Sequence, residues 1–154
     1  VDSFWVSNYS KTHKTLVVSE NPIDNLSYCQ IHGDFTSTHV ASFGTISDKQ
    51  CQKLFNLVDQ GIYKSIILIN DNDFGGLKND LKIIMKFANN MSPKIIKIDT
   101  NLVELVIDNE EYLIKDKDTF KWFLNKLVNS NDIKYDIKLI KCNSKDWNDE
   151  LLNL

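Results

Sequence analysis

Apolar residues fall into short clusters in the first ninety positions of this chain, and the clusters alternate between two periods. Leu16-Val17-Val18, His39-Val40-Ala41-Ser42-Phe43 and Ile66-Ile67-Leu68-Ile69 are brief runs that read as strands, the last of them continuous and β-branched-rich. A run like the last predicts a strand buried on both faces in a parallel sheet. Between them the apolar positions repeat at helical spacing. Asn21 followed by Pro22 predicts a helix start, with the chain helical to about Ile31 and stopped at Gly33. Ser47 with Gln50 forms a capping box, ahead of a stripe of Cys51, Leu54, Phe55 and Val58, with Gly61 expected at the C-terminal cap. Leu77, Leu81, Ile84, Met85 and Ala88 make a third stripe. Strand–helix alternation at these lengths predicts βαβ units and an α/β fold with a parallel sheet.

The pattern changes after Pro93. Ile95 to Ile98 reads as a strand. Leu102 to Ile107 and Tyr112 to Ile114 read as a hairpin turning at Asp108-Asn109-Glu110-Glu111. Phe120, Phe123, Leu124, Leu127 and Val128 follow at helical spacing behind an expected cap at Asp118. Phe120, Trp122 and Phe123 are expected to serve packing, with a partner-docking face as the alternative. Tyr135 to Lys141 is a last strand, and Ser144 to Leu152 a short helix or turn. The expected architecture is a parallel sheet of about four strands flanked by helices, with residues 94–131 as a β-hairpin plus helix insertion in a single domain spanning 1–154.

The chemistry concentrates at strand ends. Asp71-Asn72-Asp73 leaves the third apolar run with two carboxylates two residues apart, ahead of Gly75-Gly76. Ligands of open α/β sheets bind at the carboxyl ends of strands. Glu20 ends the first strand in the same manner, and Asp24 lies one helical turn further on. If the first and third strands are neighbours, these acids converge on one rim. Like charges at close range raise one another's pKa, so such a cluster calls for a cation. Oxygen-only donors favour Mg²⁺ or Mn²⁺. The bland reading of Asp71 and Asp73 is a turn and a helix cap, and Asp146 reads equally as the cap of the last helix.

Composition narrows the setting. With 42% hydrophobic and 25% charged residues the chain has an ordinary globular make-up. No apolar run reaches the ~18 residues a membrane span needs, and no signal peptide is visible. A cytoplasmic location without membrane contact is expected. The sequence starts at Val1 and reads as a piece of a longer protein. Cys29, Cys51 and Cys142 lack ligand spacing and are expected to be reduced structural thiols. All 18 basic residues are lysine, so no guanidinium clamp on phosphate is available. A net charge of −3 argues against holding nucleic acid tightly by charge alone. Lys78, Lys82 and Lys86 form a row read either as a solvated face or as a ridge that tracks phosphates. Trp147 is expected in the core rather than as a base-stacking platform.

Two of these stretches resemble a known family. Leu16-Val17-Val18-Ser19-Glu20-Asn21-Pro22-Ile23-Asp24-Asn25-Leu26-Ser27 resembles the first motif of Toprim domains. Ile69-Asn70-Asp71-Asn72-Asp73-Phe74-Gly75-Gly76 resembles their DxD motif. The ending Lys145-Asp146-Trp147-Asn148-Asp149-Glu150-Leu151 is similar to the terminal motif of the primase-like branch found in plasmid, phage and conjugative-element proteins. Asn21 stands where many members carry glycine, and Asn148 where replicative primases carry a second acid. The resemblance implies that Glu20 is the general acid or base of nucleotidyl transfer or strand cleavage. It also implies that Asp71 and Asp73, with Asp24 and Asp146 nearby, hold Mg²⁺ or Mn²⁺. The implied partners are nucleic acid (single-stranded DNA first), nucleoside triphosphates and other domains of the parent chain. A Toprim nuclease uses the same carboxylates, and a non-catalytic binding module is the reading from outside enzymes.

Overall fold

The computed structural model describes residues 2–88, 94–99, 102–107, 109–130 and 133–154. Pro93, Asp108 and Asn131, used above to place the insertion and its turn, lie outside them.

A five-stranded sheet runs β1-β3-β2-β4-β8, where β1 is Trp5–Ser7, β2 Thr15–Ser19, β3 Thr38–Ala41, β4 Ser65–Leu68 and β8 Asp136–Leu139. Four strands are parallel, as the alternating pattern predicts, and β1 adds an antiparallel edge through Val6 opposite Val40. Three residues without a periodic signature gave no warning of β1. The first and third predicted strands, β2 and β4, are direct neighbours, with Val18 opposite Leu68. Their carboxyl ends therefore open on one rim.

Alternation within β2 divides the core. Leu16 and Val18 join a large cluster with Leu54, Ile66, Leu77, Leu81 and Phe87. Val17 faces the other way, with Tyr28, Ile69, Cys142 and Trp147. The first cluster is covered by α2 (Asp48–Asp59) and α3 (Phe74–Phe87), and the second by α1 (Pro22–His32) and α5 (Trp147–Leu152).

Caps follow the local chemistry. Asn21 accepts from Ile23 N with Pro22 beside it, and Gly33 ends α1 at φ 62°. The Ser47–Gln50 capping box is present. Asp59 is the last residue of α2 and Gln60 its cap, one residue before the expected Gly61, which follows at φ 73°.

Residues 94–131 contain more than a hairpin. β5 (Lys94–Asp99), β6 (Leu102–Ile107) and β7 (Glu110–Ile114) form a three-stranded antiparallel sheet, followed by α4 (Lys117–Val128). Asn109 at φ 68° suits the two-residue loop that joins β6 and β7. Val103, Leu105, Ile114 and Phe120 belong to the same core cluster as Leu16 and Ile66, so this unit packs onto the main sheet's helix layer. The cap of α4 is Asp116 rather than Asp118. Its Oδ1 accepts from Thr119 N at 2.8 Å and its Oδ2 from Thr119 Oγ1 at 2.7 Å. Asp118 instead sits in the first turn and pairs with Lys121 at 3.0 Å. Phe43 is a second correction. The strand ends at Ala41, and Phe43 lies beyond it at φ 63° with 62% of its surface exposed.

Candidate metal and phosphoryl-transfer site

Glu20 and Asp71 line one cavity of about 400 Å³ at the carboxyl ends of β2 and β4, with Asn21, Pro22, Phe43 and Gly44. Asp71 lies three residues beyond the end of β4, after Ile69 and Asn70. The helix behind it is pressed so close that a Cβ on Gly76 would lie 2.1 Å from the Asp71 carbonyl oxygen and 2.7 Å from its nitrogen. No side chain fits there, which gives Gly76 a physical reason independent of any motif. Asp73 is the N-cap of α3, its Oδ1 accepting from Gly76 N at 3.0 Å. The cap reading of Asp73 is therefore correct, and it leaves Oδ2 without a hydrogen bond among the described residues.

Electrostatics tie the five predicted acids together. The Asp71 carboxyl is pushed up to about 7, first by burial and then by the charges of Glu20, Asp24, Asp73 and Asp146. Glu20 is also raised, by burial and next by Asp73, against a hydrogen bond from Asn79 that favours its ionised form. Asp24 is raised by burial, partly offset by the backbone N–H of Asn148, which donates to its Oδ1 at 3.3 Å. Asp146 caps α5, its Oδ1 accepting from Asp149 N at 2.8 Å. Asp24 thus fastens α5 to the rim, Asp146 caps that helix, and both add negative charge around Asp71.

Among the described residues no three His, Cys, Asp or Glu side chains are drawn to ligating distance of one point. The donor set nonetheless fits a hard cation. Asp71 Oδ1 is buried with no hydrogen-bond partner among the described residues, and the charge of Asp73, two residues on, acts on the same carboxyl. Mg²⁺ keeps several waters and is commonly held by one or two carboxylates with substrate phosphates completing its shell.

Several residues that support this rim escaped the sequence reading. Asn79 donates from Nδ2 to Glu20 Oε1 at 2.8 Å, while its Oδ1 accepts from Ile46 N at 3.1 Å. It fixes one glutamate oxygen and leaves the other to the cavity. Asp80 is fully buried and forms an ion pair with Lys141. Lys141 also donates to the carbonyls of Asn70, at 2.6 Å, and Asp71, at 3.2 Å. Asn70 Nδ2 completes this group by donating to Asp80 Oδ1 at 2.8 Å. The backbone that carries Asp71 is thereby gripped from the segment after β8 and from α3. Asn72 bridges to the last loop, donating from Nδ2 to Cys142 O at 2.8 Å and from its backbone N to Lys145 O at 2.7 Å. One sequence signal was available: Asp80 falls inside the Leu77, Leu81, Ile84 stripe, where a polar residue needs a partner. Trp147 is core, 3% exposed, its Nε1 donating to Ile69 O at 2.9 Å.

The three lysines of the row lie in different surroundings. Lys82 donates to Ile46 O at 3.2 Å and Lys86 is exposed, each one turn further from the rim. Of the row, Lys78 lines a cavity of about 840 Å³ with Asp73, Lys115, Lys117 and Lys145. Among the described residues none of these four ammonium groups forms an ion pair. Lys115 and Lys117 come from the segment leading into α4, so the insertion contributes directly to the rim.

A mostly parallel sheet with carboxylates beyond the ends of two adjacent central strands, next to a lysine-lined cavity, makes this an α/β protein with its charged groups gathered on one rim. A family model described as Toprim-like matches residues 17–113, more than half of the chain. The chain belongs to the Toprim-like family. That membership puts it among metal-dependent proteins that act on nucleic acid. The match includes Glu20, Asp24, Asp71 and Asp73 and stops before Asp146. No curated protein and no solved structure shows significant similarity to the chain. Among the described residues no helix is long and apolar enough to cross a membrane.

Proposed function

We propose that this chain is the Mg²⁺-dependent nucleotidyl-transfer domain of a primase-like protein of the mobile-element branch. The observation that carries this reading is the shared cavity of Glu20 and Asp71, with Asp71 feeling the charge of every other predicted acid. Asp71 and Asp73 would hold the cation, with Asp24 and Asp146 adding negative charge around it. A bound Mg²⁺ supplies the positive charge that offsets the phosphate oxygens as they pass through the transition state.

The remaining work falls to the protein's own side chains. Glu20 takes the proton from the attacking hydroxyl, since burial and Asp73 hold its carboxyl above the ordinary range. Asn79 fixes the glutamate so that its second oxygen meets the substrate. Lys78, Lys115, Lys117 and Lys145 receive phosphates of the strand or of an incoming nucleoside triphosphate. Other domains of the parent chain hold the single-stranded template, because a chain of net charge −3 does so weakly.

The test is to incubate the full protein with Mg²⁺, single-stranded DNA and nucleoside triphosphates, and separately with labelled DNA alone. New strands support the proposal. Shortened DNA without synthesis replaces it with the nuclease reading. Glu20→Gln should lower the rate by ~10²–10⁴, the usual worth of a general acid or base. Near-normal turnover in that variant would remove Glu20 from the mechanism.

A further inference from the structure

Phe43 has an unfavourable backbone and no packing to account for it. A φ of 63° crowds the Cβ of any L-residue, and a bulky side chain there is a genuine outlier. Burial does not compensate, because 62% of the residue is exposed. The conformation is imposed by its neighbours. Ser42 N donates to Ser19 O at 3.1 Å and Gly44 N to Glu20 O at 3.0 Å, which ties both sides of Phe43 to the end of β2. Ser42 Oγ donates to Gly44 O at 2.7 Å, Gln50 Nε2 to Ser42 O at 3.2 Å, and Asn79 Nδ2 to Gly44 O at 3.3 Å. Asn79 is the same side chain that holds Glu20. These bonds hold the residues on either side of Phe43, which lines the cavity with Glu20 and Asp71.

We propose that Phe43 is a nucleobase-stacking platform that seats the base next to the reacting phosphate. The inference rests on the nucleic-acid reading above and adds the group that positions the substrate. Backbone strain that surrounding structure over-determines is characteristic of ligand clamps. Two walls of this cavity, Glu20 and Asp71, are carboxylates, which accept a phosphate only with a cation between them, so the uncharged base needs a surface of its own. A phenyl face offers that to any base, without sequence preference.

The experiment is fluorescence anisotropy of a short labelled single-stranded oligonucleotide with the full protein, at low salt with Mn²⁺. It compares wild type, Phe43→Leu and Phe43→Trp, and strands with and without an abasic nucleotide scanned along the sequence. Leucine keeps apolar bulk without a π face. Phe43→Leu should weaken binding by about 5- to 150-fold, which corresponds to the ~1–3 kcal/mol a stacked base contributes. Phe43→Trp should bind within a few-fold of wild type. One abasic position should weaken wild type by a comparable factor and leave Phe43→Leu unaffected. Wild-type affinity in Phe43→Leu, or an abasic penalty equal in both proteins, overturns the platform while the nucleic-acid function stands. Failure of wild type to bind any strand overturns both.

Discussion

Replacing Asp71 by asparagine should make the metal-free protein more stable, and by an amount that depends on pH. The Asp71 carboxyl is raised from 3.8 to about 7, so in the native state it resists ionisation. A carboxyl with a raised native pKa contributes stability that is complete below the unfolded value, near 3.8, and is lost as pH climbs through about 7. Above that pH the native state carries the penalty of an ionised group among Glu20, Asp24, Asp73 and Asp146. A shift of roughly three units corresponds to about 4 kcal/mol at most. Solvent reaches the half-buried carboxylate and screens its neighbours, so the measurable part is nearer 1–2 kcal/mol. Asparagine keeps the shape and never ionises. In chelator-treated buffer at pH 8, Asp71→Asn should melt about 2–8 °C higher than wild type. The gap should close as pH falls from 7 towards 4. Added Mn²⁺ should raise the wild-type midpoint and leave the variant unmoved, because binding to the native state alone stabilises it. A variant that melts lower at pH 8, or a gap that does not change with pH, refutes the electrostatic account of this rim.

Two further changes probe the supports. Lys141→Ala strands the fully buried Asp80 charge and should cost about 3–5 kcal/mol by urea titration, with much of the loss recovered in the Asp80→Asn, Lys141→Met double variant; equal losses in both would show that the pair is not what matters. Phe43→Gly should stabilise the fold by about 0.5–1 kcal/mol, because glycine relieves the φ of 63° and little buried surface is lost. A lower melting temperature in that variant would mean the phenyl ring packs more than its exposure suggests.

What could be read from the sequence was local. Short β-branched runs, the Ser47–Gln50 box, Asn21-Pro22 and the strand-end acids each declare themselves within a few residues. The adjacency of β2 and β4 was needed for the site and was stated only as a condition, since strand order is not a local property. Asn79, Asp80 and Lys141 act across 59, 61 and 71 positions of chain, on Glu20, Lys141 and Asn70, and no window of sequence joins them. The first helix shows a different limit. Ile23 and Leu26 are about half exposed while Asp24, Asn25 and Ser27 are buried, the reverse of ordinary patterning. The inversion follows from what α1 covers. Asn25 Nδ2 donates to Ser19 Oγ at 2.7 Å and to Val40 O at 2.8 Å, and Asp24 receives the Asn148 N–H of α5. The inner face of that helix serves the rim and its fastenings, so polar groups with partners belong there.

The same economy complicates any attempt to assign roles by mutation. Asp73 both caps α3 and offers a carboxylate oxygen to the site, so loss of activity on removing it does not by itself show metal binding. The two roles separate chemically, because the cap needs a side-chain oxygen acceptor whereas a hard cation favours a charged one. Asparagine caps about as well as aspartate, and alanine does not. Asp73→Asn should therefore keep wild-type stability to within about 0.5 kcal/mol, and Asp73→Ala should lose about 1 kcal/mol. Mn²⁺ affinity, followed by calorimetry, should fall in both variants alike. If Asp73→Asn binds Mn²⁺ as wild type does, the residue is a cap alone and Asp71 must hold the ion with substrate phosphate and another acid of the rim. If Asp73→Ala is as stable as wild type, the Gly76 N–H finds another acceptor and the structural half of the argument fails.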